Sequence, residues 1–195
     1  EVPNADFMLA HTALWDVIYE HYSYFGQHSL SRLFSDQGFR ILRLDTTFGG
    51  QFLCLDAAPG PDAAPDQRRP THPPSSAMTD AAKRFGHNSR ALLAEWRGRL
   101  DEIKKAGRRA VVWGAGSKGV TFLNLLSRDG PIEFVVDINP RKQGMAIAGT
   151  GQTIIPPVFL VDYRPDIILV MNRNYAEEIA DMVREMGLEP EFWFV

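Results

Sequence analysis

The sequence contains a single cysteine, no long apolar run and no excess of positive charge. Cys54 alone cannot form an internal disulfide or a cysteine-based zinc site. No apolar stretch approaches the roughly 20 residues that a membrane-spanning helix needs. The 195 residues carry a formal charge of -3 with both signs mixed, which is not typical of a nucleic-acid-binding surface. With no signal-peptide pattern, these features predict a folded cytoplasmic protein that binds neither nucleic acid nor membrane.

Composition divides the chain into three zones. Residues 1–57 are expected to form the last elements of an α/β domain. Residues 58–79 are rich in Ala, Pro, Asp and Ser and poor in large apolar residues, which predicts an extended linker. Residues 80–195 alternate helical and strand-like patterns. The abrupt start predicts that the chain is a piece of a longer polypeptide.

The first zone contains two helix signals followed by two strand signals. Apolar residues recur at helical spacing between Leu14 and Phe25, which predicts a helix or helical turns, and Ser29 is expected to cap a short helix that Gly38 ends. The residues from Phe39 to Leu44 and from Gln51 to Asp56 are expected to form two strands around a Gly-Gly turn.

The third zone predicts a Rossmann-like parallel sheet with flanking helices. An amphipathic helix through Trp96 ends at Gly107. Buried strands are expected at Ala110–Trp113, Ile132–Val136, Asp166–Met171 and Glu191–Val195, with helices after the first strand and over Tyr175–Met186. A long glycine-punctuated stretch replaces the helix that would follow the second strand. Alternating strands and helices favour parallel pairing with right-handed crossovers.

A glycine loop connects the first of these strands to its helix. Gly114, Gly116 and Gly119 have the G-x-G-x-x-G spacing that lets a phosphate approach a helix N-terminus, and Asp137 ends the next strand. Ser117 and Lys118 inside the loop favour a phosphate or sugar-phosphate ligand. A dinucleotide site and a purely structural turn without a ligand remain alternatives.

Three further residues follow the strand that is predicted to end at Met171. Asn172, Asn174 and Tyr175 would lie at the carboxyl end of a parallel strand, where ligands bind in such sheets. They are therefore expected to face the same ligand as Ser117 and Lys118. Alternatively, Asn174 caps the helix that follows.

A polar cluster in the first zone combines Tyr19, Glu20 and His21. A histidine beside a carboxylate can act as a general base near neutral pH, and neighbouring aromatic rings can shape a pocket. The alternative is that Glu20 and His21 are ordinary polar residues on an amphipathic helix.

Several motifs in order resemble sugar C-methyltransferases that act on nucleotide-linked keto-deoxysugars. The resemblance rests on Tyr19-Glu20-His21, on the glycine loop with its flanking residues, and on Val136 to Pro140, Lys142 to Gly144 and Gly149 to Gly151. It covers nearly the whole chain except the linker, and it implies that residues 1–57 close a class I methyltransferase domain.

The resemblance also implies cofactors and residue roles. S-adenosylmethionine would donate the methyl group from a pocket formed mostly by residues before this chain, and zinc would bind only in a preceding domain. His21 would remove a proton from the sugar carbon beside a ketone, and Glu20 would orient His21 or bind the sugar. Tyr19 would belong to the same catalytic set. The glycine-loop domain would help to bind the nucleotide sugar.

Overall fold

The computed structural model describes residues 1–60, 75–126 and 130–195. Contacts divide them into two compact units, Glu1–Arg90 and Ala91–Val195. Most of the predicted linker, residues 61–74, lies outside the described residues. Regular structure nevertheless extends into both ends of that linker, because a strand continues to Pro59 and a helix already begins at Ser75.

The first unit contains a small antiparallel sheet with two helices. Its elements are β1 (Val2–Pro3), α1 (Ala5–His11), α2 (Gln27–Asp36), β2 (Phe39–Thr47), β3 (Phe52–Pro59) and the start of α3 (Ser75–Lys105). The strand order is β1-β3-β2, and both pairings are antiparallel. The two predicted strands are therefore confirmed as a hairpin. The first continues to Thr47 and the second to Pro59, beyond the ends that the sequence indicated.

Of the helix or helical turns predicted between Leu14 and Phe25, only one turn forms. Only Leu14–Asp16 form a single 3-10 turn, and the following residues form an irregular loop. The Tyr24 hydroxyl accepts a hydrogen bond from the Ile18 backbone N–H at 2.9 Å and donates one to the Ile18 carbonyl oxygen at 3.1 Å. These bonds satisfy backbone groups that a helix would otherwise satisfy, so the aromatic spacing was a misleading signal.

The start of α2 also differs from the sequence expectation. The residue at the N-cap position is Gly26, and Ser29 lies within the first turn. The Ser29 hydroxyl accepts a hydrogen bond from the Gly26 backbone N–H at 3.0 Å. Ser29 therefore stabilises the helix start from inside the helix, and the cap assignment was three residues too late. Gly38 has a φ of 79° after the helix end, as expected of a helix-terminating glycine.

The second unit is a five-stranded parallel sheet with helices. Its elements after α3 are β4 (Ala110–Trp113), α4 (Ser117–Leu126), β5 (Ile132–Val136), β6 (Thr153–Ile155), α5 (Leu160–Tyr163), β7 (Ile167–Val170), α6 (Ala176–Glu185) and β8 (Glu191–Phe194). The strand order is β6-β5-β4-β7-β8, and every pairing is parallel. The predicted Rossmann-like α/β class is confirmed.

The central strands β4 and β7 are buried along their whole length. Uniformly apolar strands are expected where helices cover both faces of a parallel sheet. The chain leaves β4 towards β5 on one side and reaches β7 on the other, so the direction of strand addition reverses between β4 and β7. Ligand crevices of open parallel sheets form at such a reversal, beyond the carboxyl ends of the strands.

Two elements of the second unit were not predicted. β6 is only three residues long and follows the glycine-rich stretch, and α5 is a single helical turn. The expectation that no helix follows β5 is confirmed for residues 137–152. Elements this short lack enough residues to show a periodic pattern, so periodicity could not detect them.

Candidate functional site

The glycine loop is built on two close backbone approaches. The Gly114 N–H donates to the Val136 carbonyl oxygen at 2.8 Å, and Gly114 has a φ of 117° that side chains disfavour. A Cβ atom at Gly119 would lie 2.1 Å from the Gly114 carbonyl oxygen. These two glycines therefore allow α4 to pack tightly against the end of β4.

Gly116 lies in a different environment. A Cβ atom added there would meet no atom within 4 Å, and the residue is exposed. Ser117, also exposed, is the first residue of α4. The first N–H groups of a helix have no partner within the helix and carry partial positive charge. The open space beside Gly116 therefore lets an anion approach these N–H groups.

A cavity of about 530 Å³ lies over this loop. Its wall contains all the predicted binding residues except Asn174, namely Gly114, Gly116, Ser117, Lys118, Gly119, Asp137, Asn172 and Tyr175. Residues from the ends of β4, β5 and β7 thus meet at one crevice, at the position where the strand order predicts one. This volume is within the usual range for small-molecule sites.

Asp137 is held by the protein rather than directed freely at the cavity. The residue is 8% exposed. Its Oδ2 accepts hydrogen bonds from the Ala115 N–H at 3.0 Å and from the Lys142 Nζ at 3.1 Å, and its Oδ1 accepts one from the Asn139 N–H at 2.8 Å. Both carboxylate oxygens are therefore engaged before any ligand binds.

The residues after β7 have separate roles. Asn172 Oδ1 accepts a hydrogen bond from the Asn174 N–H at 3.1 Å and so caps the short 3-10 turn Arg173–Tyr175. Tyr175, about half exposed, is the N-cap residue of α6, where no side chain caps the helix. The alternative that Asn174 caps α6 is therefore wrong, and the capping asparagine is Asn172.

Sequence reasoning did not assign several residues of this cavity. They are Trp113, Ile138, Lys142, Met171, Glu178, Ile179 and Met182. Most are apolar and belong to strands or helices whose patterns indicated only burial. Lys142 had a usable signal, since it follows the acid at the end of β5 by five residues within a turn-rich segment.

The polar cluster of the first unit lies on the loop between the 3-10 turn and α2. Tyr19 is 99% exposed and Glu20 is exposed, whereas the His21 Nδ1 atom is buried and has no hydrogen-bond partner among the described residues. The His21 ring packs edge-on against Tyr24 with ring centres 5.7 Å apart. Within the described part of the chain, no hydrogen bond or ion pair joins Glu20 to His21.

Side chains with shifted pKa values lie elsewhere in the second unit. Burial raises the pKa of the Tyr163 hydroxyl, and the nearby Glu133 carboxylate adds to this effect. A hydrogen bond from Arg108 lowers the pKa of the Glu191 carboxyl. Neither residue lines the cavity over the glycine loop. Across residues 1–60, 75–126 and 130–195, no cluster of three or more His, Cys, Asp or Glu side chains is placed to hold a metal ion.

No helix within those same ranges combines the length and the apolar character that crossing a bilayer requires.

A parallel sheet with this strand order and a glycine loop at the reversal point define a Rossmann-like α/β domain. The chain belongs to the C-methyltransferase C-terminal domain family, whose model matches residues 76–190. It is also 27% identical to the C-methyltransferase NovU of Streptomyces niveus over 95% of its own length. The chain spans 46% of the length of that relative.

Proposed function

We propose that this chain is the C-terminal part of an S-adenosylmethionine-dependent C-methyltransferase acting on a nucleotide-linked keto-deoxysugar. In this proposal the second unit binds the nucleotide sugar, and His21 in the first unit contributes the general base. Family membership and the likeness to a C-methyltransferase support the reaction class. The observation that carries the ligand assignment is the cavity over the glycine loop.

The chemistry of that cavity suits a phosphate-bearing ligand with a polar sugar. The N-terminus of α4 and Lys118 supply positive charge at the loop. Glu178, in the first turn of α6, supplies a carboxylate that can accept hydrogen bonds from hydroxyl groups. Met171, Ile179 and Met182 add an apolar surface. A diphosphate with a sugar or base attached presents matching groups.

The state of Asp137 argues against the nicotinamide-dinucleotide alternative. In dinucleotide sites of this fold, the acid at the end of the second strand binds ribose hydroxyls. Here the Asp137 oxygens accept hydrogen bonds from Ala115, Asn139 and Lys142. A ligand that relies on this acid for its ribose would have to compete with these bonds for a residue that is only 8% exposed.

The same observation bears on the methyl donor. S-adenosylmethionine also carries a ribose, and Asp137, the acid that would bind a ribose at this end of the sheet, already accepts hydrogen bonds from Ala115 and Asn139. Asp137 therefore does not fit the ribose of the methyl donor. No step of methyl transfer is assigned to this cavity, and the donor pocket is expected in the part of the longer protein that this chain does not include.

The proposed base is His21. Its ring lies against Tyr24, and its buried Nδ1 has no partner among the described residues. In the proposed reaction, a ring nitrogen of His21 takes the proton from the carbon beside the ketone and an enolate forms. Tyr19 and Glu20 are exposed next to His21 and available to contact the sugar.

Titration calorimetry on this chain tests the ligand assignment. We expect heat of binding with thymidine-diphosphate glucose and none with NAD at the same concentration. Gly116→Ala should weaken the sugar-nucleotide binding, whereas Lys105→Met, an exposed change at the end of α3, should not. Binding of NAD without the sugar nucleotide would replace the proposal with an oxidoreductase site. Binding of neither would favour a non-catalytic interaction domain.

A further inference from the structure

Lys142 connects the acid at the end of β5 to the glycine loop. Its Nζ donates hydrogen bonds to Asp137 Oδ2 and to the Ala115 carbonyl oxygen, both at 3.1 Å. The same Oδ2 accepts from the Ala115 N–H at 3.0 Å. The N–H and the C=O of one loop residue are therefore both tied to the Asp137–Lys142 ion pair.

We propose that Lys142 is a positioning and specificity-determining residue for an anionic ligand of this cavity. The proposal rests on the function proposed above, in which the cavity receives a phosphate-bearing ligand. Lys142 acts through Asp137 and Ala115: it neutralises a carboxylate that would repel the ligand, and it fixes the loop that presents the helix N-terminus.

The charge argument follows from the groups that line the cavity. Two cations, Lys118 and Lys142, and two acids, Asp137 and Glu178, are among its charged side chains. Asp137 bonds directly to the loop, because its Oδ2 accepts from the Ala115 N–H. If Lys142 lost its charge, this nearly buried carboxylate would face an arriving phosphate without compensation. Like charges a few ångströms apart in a partly buried site repel strongly.

The positioning argument follows from the loop itself. Ala115 is buried and held at both of its polar backbone groups, whereas the next residue, Gly116, is exposed with open space around it. Holding Ala115 therefore fixes the direction in which the chain enters α4. A loop that is already ordered costs less conformational entropy when a ligand binds.

The Asp137–Lys142 ion pair also explains which ligands the cavity would select. Because Asp137 is used inside the protein, it does not select ligands by their ribose hydroxyls. The cavity is therefore assigned to nucleoside diphosphates in general, with recognition centred on the phosphates, rather than to ligands that require a ribose 2′-hydroxyl.

The test is a set of substitutions at the pair, measured by titration with thymidine-diphosphate glucose and with inorganic pyrophosphate. Lys142→Met should weaken binding of both by about tenfold or more. Lys142→Arg retains the cation and should bind within about threefold of the wild type. Asp137→Asn combined with Lys142→Met should recover most of the loss, because the uncompensated charge is gone. The control is Lys105→Met, which removes one positive charge from the exposed end of α3.

Two outcomes of the titrations would overturn the charge role. These are unchanged affinity in Lys142→Met, or a double variant that binds no better than Lys142→Met. If Lys142→Met folds poorly, Lys142→Gln replaces it, since glutamine keeps a donor for the Ala115 carbonyl but lacks the charge. The same tenfold loss is expected for Lys142→Gln.

Hydrogen exchange in the ligand-free chain tests the positioning role separately. Residues 114–119 should exchange faster in Lys142→Met than in the wild type or Lys142→Arg. Equal exchange in all three would overturn the positioning role. If wild-type chain binds neither probe, the proposed function fails together with the charge role, while the exchange result still decides whether Lys142 fixes the loop.

Discussion

A methyl group added at Gly119 would lie 2.1 Å from the Gly114 carbonyl oxygen, whereas one added at Gly116 would meet no atom within 4 Å. Two glycines three residues apart are thus needed for different reasons. Gly119 permits a backbone contact between helix and strand, and Gly116 leaves space for a ligand.

This difference predicts that alanine changes stability at one position and ligand binding at the other. Gly119→Ala should lower the free energy of unfolding by about 1–3 kcal/mol, the usual cost of forcing atoms into a packed site. Gly116→Ala should leave the unfolding midpoint nearly unchanged but weaken sugar-nucleotide binding by about tenfold, because it obstructs the helix N-terminus. Thermal unfolding and calorimetry on both variants provide the measurements. Equal destabilisation of both variants would contradict the assignment.

Asp137 provides a second prediction at the residue scale. A site that hydrogen-bonds a particular hydroxyl rejects analogues without it by orders of magnitude, but here we expect UDP and dUDP to bind within about threefold of each other. The two ligands differ only in the ribose 2′-hydroxyl, so base and phosphates are controlled. Strong preference for UDP, measured by competition titration, would show that Asp137 releases its internal bonds to read the ribose.

His21 provides the prediction that concerns catalysis. In the longer protein, His21→Ala should lower kcat by about a hundredfold or more, because general-base catalysis commonly contributes that much. His28→Ala, a change at another histidine of the first unit, is the matched control. Unchanged turnover at saturating substrate would remove His21 from the proposed role.

At the scale of single elements, α5 carries Tyr163, and burial raises the pKa of its hydroxyl. The Tyr163 ring packs against Phe134 and Phe159, with ring centres 5.1 Å and 6.1 Å away. Burial, followed by the charge of Glu133, raises the pKa of the Tyr163 hydroxyl above its usual value of 10.0, although Arg109 partly opposes this. The folded protein therefore holds this proton when the unfolded chain has already lost it.

The proton on the Tyr163 hydroxyl determines how the free energy of unfolding changes with pH in the alkaline range. Above pH 10 the unfolded chain binds fewer protons than the folded one at this site, so the free energy of unfolding falls as pH rises towards the raised pKa of Tyr163. Tyr163→Phe keeps the ring contacts and should flatten this decline, as measured by denaturant unfolding between pH 9 and the limit of folding. An identical decline in the variant would assign the effect to other groups.

Long elements were predictable from the sequence and short ones were not. β4 and β7 are continuous apolar runs, β5 is apolar except for Glu133, and α3 shows a clear apolar stripe, so their patterns were sufficient. α1 has only seven residues and was missed. The Leu14 to Phe25 spacing predicted a helix or helical turns, but only the turn Leu14–Asp16 forms, and the Tyr24 hydroxyl holds a loop after it. Side-chain to backbone bonds of this kind depend on the folded geometry and leave no periodic signal.

The candidate site could also be predicted only in part. The spacing of the glycines and the ends of strands indicated which residues meet at one crevice, because strand ends in a parallel sheet share an edge. The engagement of Asp137 by Lys142 and Ala115 could not be predicted, since it depends on the turn that returns residue 142 to the loop. The sequence therefore predicted where the site lies, but it did not predict how Lys142 balances the charge of Asp137.

At the scale of the whole molecule, the proposed function assigns ligand binding to the second unit and general-base chemistry to the first. We expect Lys118→Ala in the longer protein to raise KM for the nucleotide sugar about tenfold with a nearly unchanged kcat, because it removes a charge that binds the ground state and the transition state alike. His21→Ala should act mainly on kcat. Steady-state kinetics of the two variants test this division. A Lys118→Ala effect confined to kcat would contradict it.

The sheet order has a consequence for how the chain acquires its structure during synthesis. β4 precedes the other strands of its sheet in the chain, and it lies in the middle of that sheet. β5 joins β4, β6 joins β5, and then β7 and β8 extend the opposite side. Each strand that emerges after β4 therefore meets a neighbour that has already left the ribosome, and none of these later strands must wait for another before it can pair.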